Sequence, residues 1–541
     1  MSNSFTFDNV SQLDQDVSTT LAAIREWKNS FIPINRLPLD VFSLVPTYLS
    51  SQRDRFCATF VCRHWRKTFL QHSVLWSQLT LRKGEAYVKT LLERAKGSAL
   101  DISISHGDPA GAITALSPYA QQITSVDFPF SYWKDIQQFS QVGPLPLLHT
   151  LNIRVCDEFS VDPPDRMTPP SLPLFAHAVN VKTFALHTER LPFLSHFVFP
   201  NLTTFKLSAT PVLALALQYH ALELLDFLEA SPRLQTVYIR LMAGMIRLHN
   251  LPYDRVVVLP NVDAFSLVVA DAGAGYELAT HILRPSVKRA SFLHERPNDH
   301  TVPQVIFPPP PSWSVISRQY GTSPIEEVAL EMQTNPDPII SCSLSFRSSG
   351  TTVLELGFNL LRAGDDHEDE DLIPYGDLCR STFSQALRTI EHYPLLLNVK
   401  RLRIGYHCFV GDPDNSRYFA NEFGRLLRSV GPLDLLSVYG CDPHFYLAPF
   451  LNLPEYINTE HPIVYPPIKE LCVHHPAMLH HEEECISAIV GLAKSQHARG
   501  IPFERLELLM ETLPAGIAER LTPWVGVVEC DESPCVNPED F

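Results

Sequence analysis

A chain of 541 residues exceeds one ordinary compact domain, and 43 Lys+Arg against 59 Asp+Glu leave a formal net charge of −16. So acidic a surface repels a phosphate backbone, which excludes general nucleic-acid binding, while a 45% hydrophobic content excludes a disordered chain. Proline is the outlier: 45 residues stand well above the usual share of about 5%, so some recurring feature requires it. No membrane span is expected, since the most apolar stretch, 211–228, is broken by Gln218, His220, Glu223 and Asp226. The first residues offer neither a basic start nor an apolar run, so no secretory signal is expected. Eleven scattered cysteines suit reduced thiols in the cytoplasm or nucleus.

Residues 1–30 read as a polar segment in which Leu13, Val17, Leu21 and Ile24 recur at helical spacing. Residues 31–76 are denser. Pro38 suits a helix start, where its missing N–H costs nothing, and Val41, Phe42, Val45 and Leu49 follow at helical spacing. A second apolar set, Phe56, Phe60, Val61 and Trp65, runs into the basic residues Arg63, His64, Arg66 and Lys67. A helical unit of this size is small for a free-standing core and leans on a partner.

These residues resemble an F-box. The resemblance is carried by Leu37-Pro38-x-Asp40-Val41-Phe42, Tyr48-Leu49, Val61-Cys62-Arg63-x-Trp65-Arg66 and Leu75-Trp76. The preceding Pro33-Ile34-Asn35-Arg36 resembles the version common in mushroom-forming fungi. What the resemblance implies is docking onto a Skp-type adaptor, and through it a cullin–RING ubiquitin ligase. The positions it implies for adaptor contact are Leu37, Pro38, Val41, Val45, Leu49, Val61, Cys62 and Trp65. Asp40 stands where the family usually has Glu, and Pro46 falls inside the first helix, where it is expected to kink or shorten it.

From residue 77 to 529 the chain repeats itself. LHTLNI (148–153), VKTFAL (181–186), LTTFKL (202–207) and LQTVYI (234–239) share apolar residues at positions one, four and six. The pattern starts again at Ile123, Val262, Val287, Ile325, Thr351, Val399, Leu433, Ile468, Phe503 and Val525, giving fourteen copies about 31 residues apart. Ten copies carry proline one or two residues before the first apolar position, among them Pro146, Pro200, Pro232 and Pro432. Proline stops a helix and pushes its neighbour toward extended geometry, so each copy reads as a strand launched by proline. Helical patterns at 212–230, 381–392, 417–429 and 482–498 precede four of them. The unit resembles a leucine-rich repeat, although only Cys156, Asn359 and Cys441 occupy the Asn/Cys position and the period is long. The expected fold is therefore α/β: a short all-helical F-box followed by an irregular leucine-rich-repeat-like solenoid, or horseshoe. A doubly wound α/β domain, which also alternates helix and strand, is the competing architecture.

Three proline-rich or acidic stretches, 161–173, 294–315 and 363–374, read as connections, and 530–541 as an acidic tail. Asp271-Ala272-Gly273-Ala274-Gly275 between strand and helix faintly resembles a dinucleotide loop but lacks the third glycine and a phosphate-binding lysine. His474, His475, His480, His481 and Cys485 match no closed zinc module, so solvated histidines are expected, and Cys530 and Cys535 have no partner pair. No catalytic residue, cofactor or metal is assigned, and an enzyme is not expected. Alternation along the repeat strands points Asn152 and Arg154, Ala185 and His187, Lys206 and Ser208, Tyr238 and Arg240 to one sheet face. Arg154, His187, Lys206, Tyr238 and Arg240 are the candidate substrate-binding residues, a basic strip suited to an acidic or phosphorylated protein segment. The expected function is a substrate receptor of an SCF-type ligase, with no nucleic-acid or membrane partner. The alternative is a non-catalytic scaffold whose F-box has drifted.

Overall fold

The computed structural model describes residues 7–42, 44–49, 51–81, 85–104, 110–131, 133–155, 174–188, 194–209, 219–241, 246–247, 252, 255–270, 272–283, 288–296, 325–334, 339–348, 351–361, 384–391, 398–407, 422–440, 466–475, 482–510 and 516–532. The expected connections at 161–173 and 363–374 lie outside them, as does nearly all of 294–315. The chain divides into two compact units, Met1–Leu202 and Thr203–Phe541.

The first unit begins with helix α1 (Phe7–Ser30) and a 3-10 turn at Pro33–Arg36. Then come α2 (Leu39–Phe42), a 3-10 turn at Val45–Tyr48, α3 (Gln52–Ala58), α4 (Arg63–Gln71) and a last 3-10 turn at Ser73–Trp76. Proline acts here as expected. The α-helix ends at Phe42 and gives way to the tighter turn that contains Pro46, whose backbone has no N–H to continue an α-ladder. Ser51 caps α3 by accepting a hydrogen bond from the Asp54 N–H at 3.0 Å.

Five strands follow: β1 (Gln78–Leu81), β2 (Leu100–Ile104), β3 (Ile123–Ser131), β4 (Thr150–Val155) and β5 (Thr183–Thr188). Helices α5 (Glu85–Ala95), α6 (Ala110–Leu116) and α7 (Trp133–Ser140) alternate with the first four. The strands pair in parallel and in chain order. Registers keep apolar opposite apolar: Leu151 meets Phe184 and Ile153 meets Leu186, all fully buried. A one-residue slip would turn that whole row to the other face.

The second unit opens with β6 (Thr204–Ala209), β7 (Tyr219–His220), α8 (Ala221–Glu229), β8 (Thr236–Leu241) and β9 (Ile246–Arg247). Of the helix expected over 212–230, the described residues show Ala221–Glu229, preceded by Tyr219 and His220, which pair as a short strand with Ile246 and Arg247. Next are β10 (Val257–Val258), β11 (Ala264–Val269), α9 (Ala272–Thr280), β12 (Ile282–Leu283) and β13 (Arg289–Arg296). Gly273 and Gly275 lie inside α9 and form no loop. A Cβ on Gly275 would fall 2.3 Å from a Val269 methyl, so this glycine lets helix and strand approach closely.

The chain continues through β14 (Glu327–Thr334), β15 (Ile339–Ser348), β16 (Thr351–Leu361), α10 (residues 384–391), β17 (Arg401–His407), α11 (residues 422–429) and β18 (Leu433–Gly440). It closes with β19 (Ile468–His475), α12 (Glu482–Ala498), β20 (Phe503–Met510), α13 (Ile517–Leu521) and β21 (Val525–Glu532). Strand β21 pairs with β20 as far as Glu532, so regular structure extends past 529, where the acidic tail was expected to start; 533–541 lie outside the described residues.

The main sheet of this unit runs β6-β8-β11-β13-β16-β15-β14-β17-β18-β19-β20-β21. Chain order is kept except at β14–β16, an antiparallel meander in which β16 pairs with β13 and β14 with β17. One face is an apolar row of Leu402, Leu436, Leu471 and Leu506 beside Ile404, Val438, Val473 and Leu508, each buried. Burying such a side chain contributes about 1.5–3 kcal/mol, so these rows hold the strands in register. Among the described residues no helix is long and apolar enough to cross a membrane.

Candidate functional site

Residues 33–76 separate into a buried aromatic core and an exposed apolar set. Phe42 and Phe69 are fully buried and stack at 5.4 Å, and Trp65 lies edge-on to Phe42 at 5.1 Å. Trp76 is buried with its indole N–H donating to the Phe69 carbonyl at 2.9 Å. Arg55 is buried beside it, donating to the Leu75 carbonyl at 3.3 Å and to Gln78 Oε1 at 2.9 Å; burial draws its pKa down. Asn35 is the pin of the cluster. Its Oδ1 accepts from Trp65 Nε1 at 2.6 Å and its Nδ2 donates to the Asn29 carbonyl at 2.8 Å, tying the 33–38 segment to α4 and α1.

With this core filled, Leu37, Val41, Leu44, Tyr48, Phe60 and Val61 remain between 38% and 84% exposed. Of the eight positions expected to contact an adaptor, Leu37, Pro38, Val41 and Val61 are exposed, and Val45, Leu49, Cys62 and Trp65 are half-buried. Phe42 belongs to the core. Leu13, Val17, Leu21 and Ile24 of α1 are exposed as well. A cleft of about 480 Å³ lies between α1 and the start of α4, lined by Arg25, Glu26, Asn29, Asn35, Val61 and Cys62 among others. Apolar side chains left in water at this density make the segment a candidate interaction surface.

The five candidate substrate-binding residues divide between the two units. Arg154 and His187 are neighbours in register in the first; Lys206 and Tyr238 are neighbours in the second, with Arg240 two residues further along β8 beside Ser208. Sequence reasoning overlooked an acidic member of the same face. Asp127 on β3 pairs in register with Asn152, and the Arg154 charge acts on its carboxyl. Burial nevertheless dominates and holds the Asp127 pKa above the usual 3.8.

Only part of the histidine cluster falls within the described residues. His474 and His475 end β19, His480 and His481 lie outside the described residues, and Cys485 falls in α12. His474 instead meets Cys472 of its own strand and Glu507 of β20, a grouping readable only as Cys-x-His alternation on a strand. Cys57, Cys62, Cys342, Cys472 and Cys530 form no disulfide. In comparisons with known proteins, no family model matches and no curated protein matches.

Proposed function

We propose that the protein is a substrate-recognition subunit of an SCF-type cullin–RING ubiquitin ligase, docking a Skp-type adaptor through residues 31–76 and presenting a protein substrate on its α/β part. The observation that carries this reading is the exposed set Leu37, Val41, Leu44, Tyr48, Phe60 and Val61 around a complete aromatic core. Three of them, Leu37, Val41 and Val61, stand at positions where the F-box resemblance implies adaptor contact. The protein does no chemistry in this reading; it raises the effective concentration of a substrate lysine near a ubiquitin-charged enzyme.

The α/β part fits an irregular leucine-rich-repeat-like arrangement within each unit better than a doubly wound one, whose strand order reverses at a switch point. Two repeating contacts favour it. Asn180 donates to the Pro146 carbonyl at 2.7 Å, Asn201 to the Val179 carbonyl at 2.9 Å and Asn261 to the Pro232 carbonyl at 3.0 Å, each reaching the turn of a preceding copy. Arg388 pairs with Glu422 and Arg425 with Glu391, both at 2.9 Å and both 34 residues apart, the interval between the copies at 399 and 433.

The test is capture of the tagged full chain from eukaryotic cells, with blotting for adaptor and cullin. Wild type is expected to carry both and a Leu37→Ala/Val61→Ala variant neither. Adaptor without cullin would favour the scaffold reading, and unchanged capture by the variant would remove the proposed surface.

A further inference from the structure

Four strands at the end of the second unit build a polar group on the sheet face opposite the apolar rows. In register across β17, β18, β19 and β20 stand Arg403, Ser437, Cys472 and Glu507. One step along each strand pair stand Gly405, Tyr439 and His474. Cys472 and His474 are two residues apart on β19 and so share a face. The Cys472 thiol lies 2.8 Å from His474 Nε2, and one ligand atom from each of Cys472, His474 and Glu507 falls within 4.8 Å of the others.

The group is held in place. A Cβ on Gly405 would fall 2.0 Å from Tyr439 Cε2, so the absence of a side chain there is what lets the Tyr439 ring lie across β17. That ring meets His474 edge-on at 6.2 Å and backs the imidazole. Neighbouring charges are already paired. Arg505 bridges Glu529 at 2.6 Å and Glu507 at 3.3 Å, and Arg403 reaches Glu327 at 3.3 Å. Cys472 is buried, while His474 and Glu507 are half-buried and so reachable from solvent.

The geometry points to a transition-metal site, in which Cys472 Sγ, His474 Nε2 and a Glu507 carboxylate oxygen hold one zinc-class divalent ion. A sulfur, a nitrogen and an oxygen donor together match Zn²⁺, whereas Ca²⁺ and Mg²⁺ take oxygen donors. Binding breaks the S–H bond, releases that proton to water and forms the metal–sulfur bond, so thiolate and carboxylate balance the two positive charges. Without metal Cys472 and His474 are a neutral hydrogen-bonded pair. Burial, with a smaller contribution from Glu507, pushes the Cys472 thiol up to about 12, and burial with the Arg403 charge pushes His474 down to about 4. Three protein ligands leave a fourth position open to water or to a side chain of a bound partner. The inference is independent of adaptor docking.

The test uses the full chain, stripped with chelator and titrated with Co²⁺ alone, read by thiolate-to-cobalt absorption in the near ultraviolet. One Co²⁺ per chain with that band is expected in wild type, none in Cys472→Ser, and affinity at least about tenfold weaker in Glu507→Gln. His480→Ala/His481→Ala is expected to match wild type. No band in wild type, or a band that persists in a folded Cys472→Ser, would overturn the assignment. Circular dichroism reports folding. Should Cys472→Ser not fold, the near-isosteric Glu507→Gln decides, and unchanged Co²⁺ affinity in it overturns the site.

Discussion

Truncating Phe42 and truncating Leu37 with Val61 should have opposite consequences, because one side chain is core and the others are surface. Phe42 is fully buried, with ring centroids of His64, Trp65 and Phe69 at 5.2, 5.1 and 5.4 Å. Phe42→Ala removes the centre of that stack at a cost of about 3–5 kcal/mol. Leu37 is 38% exposed and Val61 60% exposed, so their joint truncation to Ala is expected to change stability by no more than about 0.5 kcal/mol each. The assay is amide hydrogen exchange over residues 39–76, which reads local opening free energy. Phe42→Ala should speed exchange of the protected amides by roughly two to three and a half orders of magnitude, or unfold the segment, since about 1.4 kcal/mol is tenfold. Leu37→Ala/Val61→Ala should leave it near wild type. If the double variant accelerated exchange as much as Phe42→Ala, these residues would be core and no free docking surface would exist.

Gly405→Ala is expected to destabilise the second unit by about 1–3 kcal/mol through its clash with Tyr439, and Tyr439→Ala should relieve it in a double-mutant cycle by denaturant unfolding. Additive effects would mean that the two residues do not share space. For Asp127 the folded pKa is raised, so its contribution to stability is full below the ordinary 3.8 and lost as pH rises through the folded value. Asp127→Asn should therefore unfold at higher temperature than wild type at neutral pH, with the gap closing toward acid; a gap that widened in acid would reverse the assignment of burial as the dominant cause. Asn180→Ala and Asn261→Ala should each cost about 0.5–1.5 kcal/mol in denaturant unfolding, the net worth of one hydrogen bond between turns. No measurable loss would show that water replaces these contacts freely.

The repeat strands were legible because their signal is local. Each of the fourteen copies overlaps a strand, from Ile123 in β3 to Val525 in β21, since alternating apolar residues behind a proline specify extended backbone without reference to the rest of the chain. Strands β1 and β2 lack the six-residue pattern; Leu100, Ile102 and Ile104 alternate too briefly to stand out. Strand β15 was also unforeseen, and with it the β16-β15-β14 inversion, because pairing partners are a property of tertiary contact and not of composition. The buried role of Phe42 was hidden for a related reason: it shares its helical spacing with Val41 and Val45, and only the packing of α4 decides which of them faces in. Cys472 and Glu507 stand 35 positions apart, and register alone brings them together.

The central claim is tested most directly by calorimetric titration of the full chain with a purified Skp-type adaptor. One adaptor is expected per chain, with negative heat-capacity change from apolar burial, and Leu37→Ala/Val61→Ala should abolish the heat while retaining wild-type hydrogen exchange over residues 39–76. No binding by wild type, or equal binding by the double variant, would contradict it.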